Sequence, residues 1–212
     1  MRKIAIIILL ACSFSLHGQG QALRLSKKET VLVTKLLYKK FEKFANIIEN
    51  VGTTNGELTK EQKLSLIVGD APGLFYDYPS RFMTVTSAGK NPSRRIMSAY
   101  LRRLMEQSLS MRYVRSYDLE LMSWYEDGGM GRDWRFLRLT NHGDSIYQKK
   151  IRFRQRYVRI DLFKQKNERQ DYSYEETEEK DMVVYLFKAK TANRRRYEPT
   201  IKLGDVKSTE RK

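Results

Sequence analysis

Cysteine and histidine are nearly absent from this chain. Cys12 is its one cysteine, and His17 and His142 are its two histidines. Structural zinc sites are built from clusters of these ligands, so a zinc module is excluded, and a disulfide-stapled scaffold with it. Beyond the N-terminal segment only His142 remains, in Asn141-His142-Gly143-Asp144. A Ser–His–Asp triad needs that imidazole, but every residue of the tetrapeptide suits a tight turn. Phosphate loops are missing too: Asp127-Gly128-Gly129-Met130-Gly131 lacks the Lys-Ser/Thr ending and the following helix. The sequence therefore implies no metal and no cofactor. Nor does any apolar run reach the ~20 residues of a membrane-crossing helix.

What apolar run there is lies at the start. Arg2 and Lys3 precede an apolar stretch from Ile4 to Leu16, and Gly20-Gln21-Ala22 forms a small-x-small site. This is the pattern of a secretory signal peptide over residues 1–22. Leu9-Leu10-Ala11-Cys12 also fits a bacterial lipobox, with lipid anchoring through Cys12 as the second reading. Cleavage after Ala22 leaves a chain without cysteine, exported to the periplasm or beyond. Its net charge falls from +16 to +14 (16 − 2) with Arg2 and Lys3 gone. Residues 23–203 read as one domain: hydrophobic residues make up 41% of the chain, enough for a core. Residues 204–212 read as a polar tail.

The chain is organised around Tyr147–Lys164, YQKKIRFRQRYVRIDLFK. Apolar residues alternate there with period two, as in a strand. They occupy odd positions first (Tyr147, Ile151, Phe153) and even positions later (Val158, Ile160, Leu162). The slip near Gln155–Tyr157 calls for a bulge or bend. Arg152, Arg154 and Arg156 share one face, and Arg194, Arg195 and Arg196 follow in a second basic run. These six are the candidate anion-binding residues. The plainer reading is a solvated, Arg-rich sheet face. An acidic run, Asp171, Glu175, Glu176, Glu178, Glu179 and Asp181, would neutralise the strip if it folded back beside it.

Helical signals fill the first half. Ser26-Lys27-Lys28-Glu29 is a capping box, and Val33, Leu36, Leu37, Phe41, Phe44, Ile47 and Ile48 then form one apolar face up to Gly52. The basic residues Lys27, Lys28, Lys35, Lys39, Lys40 and Lys43 also suit a membrane-surface helix, although core packing is the favoured role. Thr59-Lys60-Glu61-Gln62 opens a short helix ending at Gly69, followed by a turn over residues 70–73. Asn91-Pro92 starts a third helix with a stripe of Ile96, Met97, Tyr100, Leu101, Leu104 and Met105. Strands are expected at 82–86, at 117–125 and 134–140 as a hairpin about the Gly-rich loop, at 182–188 and at 197–203, with a charged excursion over 164–180.

Helices first and antiparallel strands second is the order of an α+β fold, here N-terminal helices packed on a strongly curved antiparallel sheet. The order of long helix, short helix, aromatic segment Leu74-Phe75-Tyr76-Asp77, third helix and long strands resembles the nuclear-transport-factor-like (cystatin-like) α+β cone. The likeness covers roughly residues 26–203 and implies a pocket at the mouth of the cone. That family holds isomerases, dehydratases and non-catalytic binding domains. None of its catalytic patterns matches here, so no functional residue is carried over.

Three functions remain. The first is an exported, non-catalytic binding or interaction domain whose basic surface meets an envelope polyanion (anionic glycan or lipid head groups) or an acidic protein. Export argues against intracellular nucleic acid. The second is a small pocket enzyme using carboxylate and tyrosine, with Tyr76, Asp77, Trp124 and Trp134 as pocket candidates and Tyr78, Asp118, Glu120, Glu126 and Asp127 as further acid–base choices. The third is a structural envelope component. Arginines without acidic cover would favour the first, a deep pocket with a shifted carboxylate the second, and an exposed apolar edge strand the third.

Overall fold

A computed structural model describes residues 22–54, 58–85, 93–106, 111–125, 133–165, 168–189 and 199–208. Helix α1 spans Lys27–Gly52 and begins at the expected capping box: the Ser26 hydroxyl accepts from the Glu29 amide while the Glu29 carboxylate accepts from the Ser26 amide. The apolar face buries Val33, Leu37, Phe41, Phe44, Ile47, Ile48 and Val51, so the helix packs on the core.

A second capping box, Thr59 with Gln62, starts α2 (Lys60–Ser65). The helix does not stop at Gly69. It continues through a π-helical turn, Leu66–Asp70, into α3 (Ala71–Leu74). Pro72 lacks an N–H and crowds the carbonyl four residues back, and widening the preceding turn accommodates it. The segment expected as a turn is therefore helical. A 3₁₀ turn, Tyr78–Ser80, leads to β1 (Phe82–Val85).

Ser93–Ile96, expected as the first turn of the third helix, is strand β2 and pairs antiparallel with β1. Helix α4 then runs Met97–Glu106, with Met97, Leu101 and Leu104 buried. Four residues drawn into a ladder override local helical spacing. The Asn91-Pro92 start lies outside the described residues.

The remaining strands are β3 (Met111–Tyr125), β4 (Arg135–Leu139), β5 (Ser145–Gln165), β6 (Glu168–Lys188) and β7 (Thr200–Ser208). They form one open sheet in the order β2-β1-β7-β6-β5-β3, with β4 also on β5. The fold is α+β. The sheet is antiparallel except where β1 meets β7 in parallel at Met83 and Val206, which makes it mixed.

Three sheet features depart from expectation. First, β3 and β4 are not a hairpin. Both pair antiparallel with β5, β3 along 150–162 and β4 along 145–148. They follow one another on the same edge in the same direction. The Gly-rich loop itself lies outside the described residues. Second, the charged excursion is the first half of β6, which pairs with β5 without a register break from Ser145↔Lys188 to Gln165↔Glu168. Third, β7 continues to Ser208 and Val206 is fully buried. The expected tail from Gly204 is thus mostly strand.

The slip near Gln155 is accommodated in the partner strand. Opposite Gln155, β3 gains one residue between Tyr117 and Glu120, and another between Leu121 and Ser123. Such bulges bend and twist a strand locally. The turn from β4 to β5 is as expected: Gly143 has φ 83°, and the Thr140 amide donates to the Asp144 carbonyl at 2.8 Å.

The core lies between α1 and the sheet and is built from residues between Val33 and Val206. A chain beginning at residue 23 keeps all of it. Among the described residues, no helix is long and apolar enough to cross a membrane.

Candidate functional site

The register of β5 and β6 sets Arg152 opposite Asp181 and Arg154 opposite Glu179. Arg152 grips Asp181 with two bonds, Nε–Oδ1 at 2.8 Å and Nη2–Oδ2 at 3.3 Å. Arg154 donates to Glu179 Oε1 at 3.1 Å and lies 3.7 Å from Glu120 on β3. Arg156 faces Thr177 and reaches diagonally to Glu175 at 3.1 Å. The arginine strip and the acidic run are therefore one charge ladder. An incoming anion would have to displace carboxylates already in place. This corrects the reading of Arg152, Arg154 and Arg156 as an open anion-binding strip. Arg194, Arg195 and Arg196 lie outside the described residues.

The pocket candidates separate. Trp134 is 2% exposed and belongs to the core, tied through its backbone to Leu23 by bonds of 2.9 and 2.7 Å. Trp124 pairs with Ile151 in the β3–β5 ladder; its side chain lies outside the described residues. Tyr76 and Asp77 do come together, with residues the sequence did not single out. The Tyr76 ring lies 4.4 Å from that of Tyr185 and 5.7 Å from that of Phe187, with the Arg138 guanidinium 5.6 Å from its centroid. Arg81 sits in the middle, its side chain 15% exposed, 3.5 Å from Asp77 and 3.7 Å from Asp205 and donating to the Tyr185 hydroxyl at 3.0 Å. Burial pushes the Tyr185 phenol up, and the Arg81 charge opposes that. Asp77 takes a left-handed conformation, φ 50° and ψ 55°, which Asp tolerates better than most residues.

Asp205 reaches this cluster through a bulge. Between Met182↔Val206 and Val184↔Leu203, β7 sets Gly204 and Asp205 against Val183 alone. The bulge turns the Asp205 carboxylate toward the Phe82 amide, 3.0 Å away. A Cβ on Gly204 would stand 2.7 Å from the Tyr185 ring. With one guanidinium between two carboxylates, the cluster is a latch joining β1, β6 and β7. Its sequence signal was the i, i+4 pair Asp77 and Arg81.

Acid–base chemistry finds little footing nearby. The Tyr78 hydroxyl is buried, has no hydrogen-bond partner among the described residues, and is pushed up to about 12 by desolvation, with Arg102 opposing. His142 is exposed in its turn. The crevice under α1, lined by Phe41, Phe44, Ile48, Phe153, Ser116 and Gln155, has no room for a water-sized molecule. Glu126 and Asp127 lie outside the described residues, as does the side chain of Asp118. No group of three metal-ligating side chains occurs among the described residues.

The outer face of α1 is different. Lys28, Val31, Leu32, Lys35, Lys39, Glu42 and Lys43 recur every three or four residues and are all exposed. The same spacing that buries Val33, Leu37, Phe41 and Phe44 turns them to solvent. Among the described residues, none of Lys28, Lys35, Lys39, Lys40 and Lys43 makes an ion pair. Lys40 is held below the usual lysine range by burial first, then by the charges of Lys202 and Lys43. Lys202 on β7 is lowered by burial and donates to the Gly73 carbonyl at 2.7 Å. Lys40 thus feels like charge from two sides, from β7 and from its own helix.

No protein-family model matches the chain, and neither a curated protein nor a solved structure does.

Proposed function

We propose that the chain is an exported, non-catalytic binding domain that holds an envelope polyanion or an acidic partner on the lysine face of α1. One observation carries this reading. The α1 lysines have no carboxylate partners among the described residues, while the arginines of β5 are covered. Positive charge left open on a rigid helix attracts anions through a field that reaches about one Debye length, ~8 Å at physiological salt. Export rests on the charged, apolar and small-residue order of residues 2–22. The element order supports the nuclear-transport-factor-like cone as the fold family we propose.

The test is retention of residues 23–212 on immobilised heparin and lipopolysaccharide across a salt series. Binding should fall steeply with salt. Substituting Lys28, Lys35, Lys39 and Lys43 by Gln should lower the log–log salt slope by about one per lysine in direct contact. Substituting Arg152, Arg154 and Arg156 by Ser should leave the slope unchanged. Elution at low salt, or loss of retention in the arginine variant alone, overturns the proposal.

A further inference from the structure

The α1 face carries more than charge. Val31 is 64% exposed and Leu32 41%, among the few large apolar side chains left in solvent within the described residues. They lie one turn from Lys28 on one side and Lys35 on the other. Lys39 and Lys43 continue the stripe on the same face. The opposite side of the helix is fixed to the sheet, so the stripe lies along the protein surface. From Lys28 to Lys43 is 15 residues, or about 22 Å at 1.5 Å per residue.

We propose that this face docks α1 flat on an anionic lipid bilayer, with Val31 and Leu32 entering the headgroup–acyl boundary and the lysines meeting lipid phosphates. The proposal rests on the polyanion reading above and names the polyanion's class. Charge complementarity selects the occupant. Glu42 is the one carboxylate among the exposed residues of this stripe, against four lysines. A soluble polyanion such as heparin would use the lysines and gain nothing from two exposed aliphatic side chains. A bilayer uses both, because its interface sets an apolar layer beneath a charged one. Lysine stems can lie along that layer while their ammonium groups stay among the phosphates. Lys40, which feels the charges of both Lys43 and Lys202, widens the basic area.

Residues 23–212 should co-sediment with vesicles of phosphatidylglycerol mixed with phosphatidylcholine, and not with pure phosphatidylcholine. Lys35→Gln, Lys39→Gln and Lys43→Gln together should lower partitioning on the order of 100-fold, at about fivefold per lysine. Val31→Ser with Leu32→Ser should lower it about tenfold or more and leave the heparin slope unchanged. Both positions are exposed, so the fold should tolerate the change. Residues 23–212 contain no cysteine, so Leu32→Cys gives a single site for an environment-sensitive dye, whose emission should move to the blue on anionic vesicles. Heparin binding without vesicle binding overturns lipid docking and leaves the polyanion reading standing. Binding to neither overturns both. Vesicle binding that Val31→Ser and Leu32→Ser do not weaken, or that brings no dye shift, overturns insertion of this face.

Discussion

Replacing Glu49 by Ala should unfold the protein more easily than any other single truncation on the polar side of α1. β3 ends the sheet path, so alternate backbone amides on its outer side have no strand to bond among the described residues. Side chains of α1 and of its C-cap, Thr53, take their place. The Val114 amide donates to the Thr53 hydroxyl at 3.2 Å, the Ser116 amide to Glu49 Oε1 at 2.8 Å, and the Leu121 amide to the Tyr38 hydroxyl at 3.1 Å. Ser116 is 5% exposed, so water cannot readily replace the lost carboxylate. A hydrogen bond to a charged group contributes ~1.5–3 kcal/mol, and a stranded buried donor costs ~1–3 kcal/mol. Glu49→Ala should therefore lose about 2–3 kcal/mol. Glu49→Gln keeps an oxygen acceptor and should lose less than about 1 kcal/mol. Thr53→Ala, which removes a neutral partner, should fall between them, and Tyr38→Phe, next to half-buried Leu121, should cost least. Urea unfolding with an unchanged m-value measures the differences, and amide exchange at Ser116 should accelerate in Glu49→Ala. If Glu49→Ala and Glu49→Gln unfold at the same midpoint, the capping argument is wrong.

Two further outcomes follow from side chains near the latch and the core. Gly204→Ala places a Cβ 2.7 Å from the Tyr185 ring and 2.9 Å from the Val183 carbonyl. It should cost ~1–3 kcal/mol and lower Tm by several degrees; an unchanged Tm would show that the ring yields freely. Tyr78 is held near 12 in the folded protein against an ordinary 10.0. The unfolded phenol ionises first, so this contribution to stability is complete below pH 10 and declines as pH rises toward 12. Tyr78→Phe should remove that decline and leave stability at neutral pH unchanged or slightly raised, since the lost hydroxyl had no partner among the described residues. A stability–pH curve for the two proteins that coincides throughout would refute the assignment.

Local chemistry was readable where it alone decides structure. Both capping boxes, the buried stripe of α1 and the turn at Gly143 stand where their residues imply. Structure decided by distant partners was not readable. The stretch from Glu168 to Lys180 has too few apolar residues to read as a strand, but β5 supplies a ladder and opposite charges along its length. The Gly-rich loop reads as a hairpin because glycine marks turns, and only the position of β5 reveals β3 and β4 as successive pieces of one edge. Ser93–Ile96 obeys helical spacing until β1 claims it. Trp134 is fixed in the core by a backbone bridge to Leu23, 111 residues away (134 − 23), which no spacing rule foresees. The Lys28–Lys43 stripe was visible as a basic helix face. What the sequence could not show was that the arginines would be covered and the lysines left bare.

The position of β7 bears on how the molecule comes into being. It is the last of the strands to be synthesised, and it lies inside the sheet between β1 and β6. Until residues 200–206 emerge, β1 and β2 cannot join the rest, and the latch at Arg81 lacks Asp205. The β1–β2 pair therefore joins the sheet in a late, non-local step, of the kind that slows folding and leaves strand edges exposed meanwhile. In a chain of this design the β6 edge stays unpaired, and the core lacks Val206, until β7 has been made.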